Sequence, residues 1–479
     1  MQKNNKTMVT DFYEFTMAQT YFDAGLKDTI VYFDVFFRRN PLGSGYSISA
    51  GLKEIIEYIQ NIKFDESDID YLRSTNRFTE DFLSHLADVR FTGDIWAIPD
   101  GTVIFPNEPV ITVRANVIEA QIIETSLLTN FNHGSLIATA TKRITEAAGR
   151  IPVMEFGARR APGADSSKAA SKFAYLAGCC GTSNTIDGEE YGIPVMGTMA
   201  HSLINFFGND YDAFMHYAKS NPNNCVFLVD TYDTLKKGIP SAIRVAKEYL
   251  IPNGYKNWGI RIDSGDLAYL SKKARKMLDD AGFKDATICL SNGLNETTIK
   301  SLLAQGACVN SFGVGDNISA PLDRHGGVYK LMAVESNGVI SPRIKVSEDA
   351  IKVTNPGYKK VYRFYDKESG YALGDVITIA GEVIPHDGYT LISPIEEWKQ
   401  THITNYTVKE LQVPIFKDGN LVYNVPTLEE SRKHCEEDFN TFYPEIKRQE
   451  NPHEYYVDLS KKLLALKKSM IFEAKDMKN

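Results

Sequence analysis

Six short apolar runs, each ending at polar residues and followed by a helix-like stretch, constrain the fold of this chain more than any other feature. Buried parallel strands are continuous apolar runs, and each needs a helical crossover before the next strand begins. The pattern therefore predicts an irregular βα barrel, in which the carboxyl ends of the strands gather at one mouth. The runs are Ile151–Phe156, Ile193–Met196, Cys225–Val229, Trp258–Ile262, Ala286–Leu290 and Val309–Phe312.

The residues that end or follow these runs are of the types that bind anions and divalent metals. Guanidinium groups match phosphate and carboxylate oxygens, carboxylates bind metals, and glycine-containing turns expose backbone N–H groups. Gathered at one mouth of the barrel, these residues predict a pocket that binds a phosphorylated substrate together with a divalent metal. In chain order they are Arg159-Arg160, His201, Asp230 with Asp233, Asp263 with Asp266, Ser291-Asn292-Gly293 and Gly313-Val314-Gly315.

Composition narrows the class of protein further. The 479 residues are too many for one typical core, so two or more domains are expected. The net charge of −8 argues against nucleic acid or an anionic membrane as the main partner. The six cysteines show no CxxC spacing, which indicates reduced thiols and a cytoplasmic protein. We expect no signal peptide in the polar segment Met1–Thr7 and no membrane span.

The rest of the chain predicts a second, split domain. Short strand-like pieces with Gly and Pro turns flank the βα region, so we predict that 1–125 packs with 336–425 as one α+β domain. The barrel is then assigned to 126–335, with Gly327–Val334 as a further barrel strand. The remainder, 426–479, is predicted to be a C-terminal helical segment.

Local patterns predict where several helices begin. Asp11 with Glu14 is a variant of the capping box, and it predicts a helix near the start of the chain. Thr427 with Glu430 is a capping box that opens a helix further on. The lysine-rich stretch Tyr455–Met477 is predicted to be helical, with a solvated basic face.

Four candidate residues, His201, Arg159, Arg160 and Phe156, have structural alternatives. His201 lies among small residues and is either a helix-capping histidine or a nucleophilic or acid–base group. Arg159 and Arg160 form either a surface ion-pairing set or an anion site. Phe156 is either a core residue or a stacking face for a flat ring.

The segment Arg261-Ile262-Asp263-Ser264-Gly265-Asp266 combines a cation with two carboxylates. In a strand, Arg261 and Asp263 point to the same side. Asp263 and Asp266 are candidate Mg²⁺ ligands, because Mg²⁺ prefers one or two carboxylates plus substrate phosphates. The alternative is a helix N-cap by Asp263 or Ser264, which could coexist with metal binding.

Two glycine-containing turns and one aspartate-rich turn complete the candidates. Ser291-Asn292-Gly293 and Gly313-Val314-Gly315 follow the last two barrel strands, where barrels commonly bind phosphate through backbone N–H groups. Asp230-Thr231-Tyr232-Asp233 could contact a ribose hydroxyl or a metal, but we interpret both aspartates as turn-formers.

Taken in order, these motifs resemble those of the nicotinate phosphoribosyltransferase family. The resemblance extends from about Thr10 to Lys330, and the ordered set is more specific than any single motif. The motifs are Thr10-Asp11-Phe12-Tyr13, Glu155-Phe156-Gly157-Ala158-Arg159-Arg160, Gly181-Thr182-Ser183-Asn184, Gly197-Thr198-Met199-Ala200-His201-Ser202, Asp230-Thr231-Tyr232-Asp233-Thr234 and Arg261-Ile262-Asp263-Ser264-Gly265-Asp266.

The resemblance implies an α/β class, type II phosphoribosyltransferase fold: an irregular barrel plus a split α+β domain, in a homodimer whose active sites lie between subunits. It implies that nicotinate and phosphoribosyl pyrophosphate give nicotinate mononucleotide and pyrophosphate, the first step of NAD salvage from nicotinate. It also implies an ATP-coupled ligase, in which ATP hydrolysis drives the reaction through a phosphohistidine and Mg²⁺ is required.

The resemblance also assigns roles to individual residues. His201 matches the phosphorylated histidine, and Tyr13 matches the tyrosine that one subunit lends to the pyridine ring in its partner's site. Phe156 matches the aromatic residue on the other face of that ring. The remaining matches are Arg159 and Arg261 near the nicotinate carboxylate and the sugar phosphates, Thr198 in the nicotinate site, and the Gly313 phosphate loop.

Two acidic residues affect this assignment in opposite ways. Asp263 is the carboxylate we expect to stabilise the positive charge that builds at the ribose carbon as pyrophosphate leaves. Asp316 stands where many relatives carry threonine after Gly315. Because an acidic side chain repels phosphate, only the backbone of that loop is expected to bind it.

Ser183 bears on which pyridine base is used. The nicotinamide-specific relatives place an aspartate there, which accepts from an amide but repels a carboxylate, whereas serine can donate to a carboxylate. We therefore predict that nicotinate is the base used. The alternative is that Ser183 is only a turn residue.

Nicotinamide or quinolinate phosphoribosyltransferase is the rival from the same reaction class. A phosphosugar aldolase or isomerase using Lys330, and a non-catalytic nucleotide sensor, are rivals from other classes.

Overall fold

The computed structural model describes residues 6–476. Parts of two interpreted segments, the polar Met1–Thr7 and the tail Tyr455–Met477, therefore lie outside the described residues. The chain divides into two compact units, Met1–Leu136 with Asp323–Asn479 and Ile137–Leu322. Compactness alone does not test the division into 1–125 with 336–425, 126–335 and 426–479, which stays a prediction.

Several helices are amphipathic, with apolar residues at helical spacing on the buried face. One example, the helix Leu52–Gln60, buries Leu52, Ile55, Ile56 and Ile59. In chain order the helices are α1 Phe12–Asp23, α2 Leu52–Gln60, α3 Glu66–Ser74, α4 Glu80–Asp88, α5 Val117–Ile122, α6 Glu124–Ala148, α7 Ala164–Leu176, α8 Thr185–Tyr191, α9 His201–Phe207, α10 Asp210–Ser220, α11 Ile239–Val245, α12 Leu267–Asp280, α13 Glu296–Ala304, α14 Asp316–Ser319, α15 Leu428–Asn440 and α16 Lys461–Asp476.

The strands form one parallel sheet, one mixed sheet and three antiparallel sheets within residues 6–476. In chain order they are β1 Ile30–Phe36, β2 Ser47–Ile48, β3 Asp94–Ala97, β4 Val103–Ile104, β5 Ile111–Asn116, β6 Val153–Glu155, β7 Gly181–Thr182, β8 Cys225–Leu228, β9 Trp258–Ile262, β10 Thr287–Ser291, β11 Ser311–Val314, β12 Val328–Ser336, β13 Val339–Pro342, β14 Lys359–Asp366, β15 Ala372–Ile379, β16 Tyr389–Ile392, β17 Gln400–Ile403, β18 Tyr406–Glu410, β19 Val413–Lys417, β20 Asn420–Leu421 and β21 Val457–Leu459.

The unit Ile137–Leu322 is built on the parallel sheet, with strand order β7-β6-β11-β10-β9-β8. Five of the six apolar runs overlap a strand of this sheet, which confirms those predictions. The prediction of a strand at Ile193–Met196 was wrong, since only Val195 pairs, in a single parallel bridge with Thr182. The strand next to it, β7, has no apolar run because it is two residues long, Gly181 and Thr182.

The other unit carries a seven-stranded antiparallel sheet with strand order β13-β12-β1-β5-β3-β19-β20. The prediction that Gly327–Val334 is a barrel strand was wrong, because β12 pairs antiparallel with β1 in this sheet. Buried and half-buried residues alternate irregularly along β12, as they do where one face of an antiparallel sheet is only partly covered. An apolar run alone cannot distinguish these two environments.

The unit Met1–Leu136 with Asp323–Asn479 also contains a four-stranded sheet, with strand order β18-β14-β15-β21. The segment predicted to be helical from Tyr455 begins instead with β21, which pairs parallel to β15 before α16 starts. The unit's core combines residues from both ends of the chain, including Ile95 and Val113 with Val361, Ile377 and Leu459. The flanks of the parallel unit therefore share one hydrophobic core.

The two capping-box predictions had different outcomes. Thr427 and Glu430 form a capping box at the start of α15, as predicted. At α1 the predicted helix and the N-cap position of Asp11 are confirmed, but the predicted capping box was wrong, because the Asp11 side chain makes no capping hydrogen bond. Glu14 is instead fully buried, and its carboxyl oxygen accepts a hydrogen bond from the backbone N–H of Thr125 at 3.1 Å.

Replacing Glu14 with glutamine is expected to stabilise the protein at alkaline but not at acid pH. Burial raises the pKa of Glu14 from 4.5 to about 7. A raised carboxyl pKa contributes stability that is complete below 4.5 and is lost as the pH rises towards 7. Glu14→Gln stays neutral and keeps the acceptor for Thr125. Its melting temperature should exceed that of the wild type at pH 8 and equal it near pH 4.

The exposed Glu473 offers a matched control, since Glu473→Gln should not alter the pH profile of the melting temperature. Equal melting temperatures for Glu14→Gln and the wild type at pH 8 would contradict the prediction.

The six cysteines all lie within residues 6–476, and none of them is in a disulfide in this structure. Burial raises the pKa of Cys225 to about 12 and that of Cys289 to about 11, so both are protonated, unreactive core residues. Among residues 6–476, no helix has the length and apolar character needed to cross a membrane.

Candidate active site

A cavity of about 480 Å³ lies within the unit Ile137–Leu322, where the strands of the parallel sheet end. It brings together twelve of the predicted site residues: Phe156, Arg159, Ser183, Thr198, His201, Arg261, Asp263, Ser291, Asn292, Gly293, Gly313 and Gly315. It does not include Asp266. Tyr13 lies on α1 in the other unit, with 44% of its surface exposed.

Arg261, on β9, supplies a cation to this cavity. Its Nη1 donates to the Thr198 hydroxyl at 2.6 Å, which fixes one end of the guanidinium. Its Nε is buried and has no hydrogen-bond partner within residues 6–476. A buried guanidinium N–H without a partner is costly, and a carboxylate or phosphate oxygen would satisfy it.

Phe156 forms an aromatic wall of the cavity directly against the backbone of Gly313. A Cβ atom added at Gly313 would lie 2.5 Å from Cδ2 of the Phe156 ring. The ring can occupy this position only because residue 313 has no side chain. Of the two alternatives for Phe156, the partly exposed ring favours a stacking face over a core residue.

His201 is the first residue of α9 and is paired with Asp230. Its Nε2 lies 3.2 Å from Asp230 Oδ1. The N-cap of α9 is Ala200, and no side chain caps the helix there, so the helix-capping alternative for His201 was wrong. Because a carboxylate only accepts hydrogen bonds, Nε2 is the donor in this pair, and in the neutral form of the ring the other nitrogen, Nδ1, keeps its lone pair.

Asp230 was expected near the mouth of the barrel, but we interpreted it as a turn-former, and the structure gives it a role in the site. Its side chain is 1% exposed, and besides His201 it accepts from the backbone N–H of Asp263 at 2.9 Å and from the Ser264 hydroxyl at 2.6 Å. Asp233 does have the predicted local role, accepting from the backbone N–H groups of Leu235 and Lys236. The signal that separates the two is position, because Asp230 follows β8 almost directly.

Asp263 and Asp266 have different environments despite their proximity in sequence. Asp263 lines the cavity and accepts a short hydrogen bond from the Ser291 hydroxyl. Asp266 is the N-cap of α12 and accepts from the backbone N–H of Tyr269 at 2.9 Å. The capping role considered for Asp263 or Ser264 therefore belongs to Asp266.

The turns after β10 and β11 bring backbone groups to the cavity. Asn292 and Gly293 both adopt positive φ angles, 87° and 60°, in the turn that follows β10.

Asp316, the unexpected acid after Gly315, forms an ion pair with Arg160 at 3.2 Å. Its charge is thereby partly compensated, so it repels an anion less than its sequence position implied.

Lys330, the only obvious Schiff-base candidate of an aldolase, is placed elsewhere. It lies on β12 in the antiparallel sheet of the other unit, and its Nζ donates to the Tyr329 carbonyl. Lys330 is therefore not on a strand of the parallel sheet, and the position that made the aldolase alternative plausible is not the one it occupies.

The fold and the cavity together define a class of protein: an α/β protein in which the strand ends of a parallel sheet line a cavity with aromatic, cationic and glycine residues. The chain matches three family profiles in order. They are the nicotinate phosphoribosyltransferase (NAPRTase) N-terminal domain over residues 8–132, the NAPRTase family over 151–353 and the NAPRTase C-terminal domain over 358–467.

Individual relatives agree with the profiles. The chain is 41% identical to the nicotinate phosphoribosyltransferase of Bacillus subtilis over 97% of this chain and 95% of that protein. It is 33% identical to that of Caenorhabditis elegans over 95% and 92%. The crystal structure of human nicotinic acid phosphoribosyltransferase superimposes with a TM-score of 0.86 at 28% identity, covering 96% of this chain and 99% of that one.

This chain therefore belongs to the nicotinate phosphoribosyltransferase family. The similarity to the human structure also confirms the predicted fold class, an irregular α/β barrel with a split α+β domain and a C-terminal helical segment.

Proposed function

We propose that this protein transfers a phosphoribosyl group from phosphoribosyl pyrophosphate to nicotinate, giving nicotinate mononucleotide and pyrophosphate in the first step of NAD salvage from nicotinate. The relatives carry this activity in their names. The observation that carries the proposal is the convergence, in one cavity, of an aromatic face, a buried guanidinium with a free donor, and the His201–Asp230 pair.

Nicotinate binding follows from the shape and charge of the base. A flat pyridine ring would stack on Phe156, and its carboxylate would accept from Arg261, whose position Thr198 fixes. Arg159 and the backbone of Gly293, Gly313 and Gly315 would bind the phosphate groups of the donor.

In the proposed transfer, the pyridine nitrogen attacks the anomeric carbon of the ribose as the bond to pyrophosphate breaks. Positive charge builds on the ribose at that point, and the carboxylate of Asp263 stabilises it. Asp263 is itself oriented by the Ser291 hydroxyl and, through its backbone N–H, by Asp230.

ATP coupling uses His201 as a nucleophile. The ring nitrogen that is not bonded to Asp230 attacks the γ-phosphorus of ATP, the bond to the β-phosphate oxygen breaks, and ADP leaves. Asp230 holds the ring and stabilises its positive charge as the N–P bond forms. Phosphorylated His201 then favours productive donor binding, and its hydrolysis after transfer releases phosphate.

Mg²⁺ is proposed as the metal, with Asp263 as a ligand and Asp266 as a second, weaker candidate. Within residues 6–476 no three His, Cys, Asp or Glu side chains are grouped so as to hold a metal ion. Mg²⁺ is commonly held by one or two carboxylates, substrate phosphates and water, and Asp263 is a carboxylate that lines the cavity. When bound, it would neutralise charge on the leaving pyrophosphate.

We also propose a cytoplasmic homodimer in which Tyr13 of one subunit stacks on the pyridine ring bound by its partner. Tyr13, Phe12 and Met17 are exposed on α1, which suits a face that another subunit covers.

Ser183→Asp is expected to shift base preference from nicotinate towards nicotinamide. Ser183 lines the cavity, and an aspartate there would repel the carboxylate of nicotinate but accept from the amide of nicotinamide. The ratio of kcat/KM for nicotinate over nicotinamide should fall by about tenfold or more, since a charge-assisted hydrogen bond is worth about 1.5–3 kcal/mol. Ser183→Asn, which carries no charge, is the matched control and should shift the ratio less.

The test of the proposed function is a direct assay. Purified protein is incubated with Mg²⁺, phosphoribosyl pyrophosphate and nicotinate, nicotinamide or quinolinate, with and without ATP, and the products are separated by chromatography. We expect nicotinate mononucleotide, faster with ATP. Carbon dioxide release from quinolinate, equal use of nicotinamide, or binding without turnover would each contradict the proposal.

A further inference from the structure

Glu155 is a buried carboxylate that adjoins the candidate active site and has no part in the proposed reaction. It is the last residue of β6 and is 0% exposed. Burying a charged carboxylate is costly unless hydrogen-bond donors surround it. Its partners therefore show what this position does.

Four donors meet the Glu155 carboxylate. Oε2 accepts from the hydroxyls of Thr182 at 2.6 Å and Ser171 at 3.2 Å. Oε1 accepts from the Ser319 hydroxyl at 2.9 Å and, through a short hydrogen bond, from the backbone N–H of Gly157. Two donors on each oxygen occupy most of the acceptor capacity of an ionised carboxylate.

Three of these donors belong to segments that form different parts of the cavity. Gly157 follows Phe156, the proposed stacking face. Thr182 ends β7 and precedes Ser183, the proposed discriminator between bases. Ser319 ends α14, whose N-cap is Gly315 in the phosphate loop. One carboxylate thus bonds the base-binding and phosphate-binding segments together.

Close packing leaves these segments little freedom around Glu155. A Cβ atom added at Gly157 would lie 1.8 Å from Ser319 Oγ and 2.7 Å from the carbonyl oxygen of Gly315. The loop after β6 and the helix α14 therefore touch at backbone distance. A hydrogen-bonded charge at such a contact fixes geometry more tightly than apolar packing does.

We propose that Glu155 is a positioning residue for the reaction, which sets the distance between the stacking face at Phe156, the base-selecting Ser183 and the phosphate loop at Gly315. This inference rests on the proposed function. Glu155 touches neither substrate, and it acts through the loops that do. Within residues 6–476, the hydrogen bonds of Glu155 do not include His201 or Asp230, and we expect histidine phosphorylation to proceed without Glu155.

The test is Glu155→Gln, which keeps size and removes the charge. An amide nitrogen cannot accept from the Gly157 N–H, although hydroxyl groups can turn to accept from it. We expect KM for nicotinate and for phosphoribosyl pyrophosphate each to rise by about tenfold or more, with a smaller change in kcat. Phosphorylation of His201 by ATP alone, followed as labelled phosphoenzyme, should proceed at the wild-type rate.

Thr182→Val is the second variant, because it removes one hydroxyl, which donates to Glu155 and accepts from the backbone N–H of Asn184, and leaves Glu155 in place. It should raise KM for nicotinate by about threefold to tenfold, and it keeps the inference testable if Glu155→Gln does not fold. Asp210→Asn replaces another buried carboxylate of the same unit and should change neither KM.

Two results would overturn the positioning role. The first is unchanged KM values in a folded Glu155→Gln variant, or in Thr182→Val if Glu155→Gln does not fold. The second is a loss of phosphoenzyme formation equal to the loss of transfer. Absence of transfer activity in the wild-type protein would instead overturn the proposed function, so the two failures are distinguishable.

Discussion

His201→Ala should abolish the coupling of ATP hydrolysis to product formation. The variant lacks the nitrogen proposed as the nucleophile, so the proposed N–P bond cannot form and no phosphate can be transferred from ATP through it. ADP released per nicotinate mononucleotide, which is stoichiometric in a coupled enzyme, should fall to the uncatalysed background. Transfer without ATP should persist at a low rate, because the base and donor sites do not need the histidine ring. ADP and nicotinate mononucleotide measured in the same reaction give this ratio.

Asp230→Asn provides a graded comparison for His201. The side-chain oxygen of asparagine can accept a hydrogen bond from the imidazole, but the amide can also turn its NH₂ group towards the ring. Because asparagine is uncharged, it cannot stabilise a positively charged imidazole as a carboxylate does. Phosphoenzyme formation should slow by about a hundredfold, within the range that removal of a positioned acid–base group costs. Asp233→Asn, which changes the helix-capping aspartate of the same motif, should leave that rate unchanged. ATP hydrolysis by His201→Ala in step with product formation would exclude the phosphohistidine.

Arg363→Met should destabilise the unit Met1–Leu136 with Asp323–Asn479 by about 3–5 kcal/mol, the usual cost of leaving buried charges unpaired. Arg363 is 0% exposed, and its Nε and Nη2 donate to the two oxygens of Asp375 at 2.9 and 2.8 Å. Nη2 also donates to the Val103 carbonyl at 2.9 Å, and Nη1 lies 3.5 Å from Asp438. Without the guanidinium, both carboxylates remain buried.

The Arg363 prediction is measured by urea unfolding followed by far-ultraviolet circular dichroism. Because two compact units need not unfold together, each transition is fitted separately. Arg244→Met removes an exposed pair with Glu248 and should leave both midpoints nearly unchanged. Identical midpoints for Arg363→Met and the wild type would show that the pair contributes nothing to stability.

Residues that follow a buried strand directly were predictable as pocket residues, because strand direction alone delivers them to one edge of the sheet. Arg261, Asp263 and Ser291 are at or next to the ends of β9 and β10, and all three line the cavity. Strand existence was least predictable where strands are shortest, as at β7, because two residues cannot display a pattern.

Residues whose role depends on a distant partner were not predictable in this way. Asp230 was taken for a turn-former because nothing in its neighbourhood indicates the ring of His201, 29 positions earlier. Glu14 matched a capping box by spacing, yet it bonds Thr125, 111 positions later. In both cases a local motif and a tertiary contact compete for the same carboxylate, and burial favours the partner that satisfies it best.

By itself, the order of residues along this chain determined the class of fold, the parallel sheet and the chemistry gathered at its edge, because these follow from hydrophobic periodicity and from side-chain types at strand ends. Only the tertiary structure decided that β12 joins the antiparallel sheet, that Asp230 pairs with His201, and that one glutamate, Glu155, bonds three segments. Those outcomes depend on which buried polar groups satisfy one another across long stretches of chain, and no local pattern records that choice.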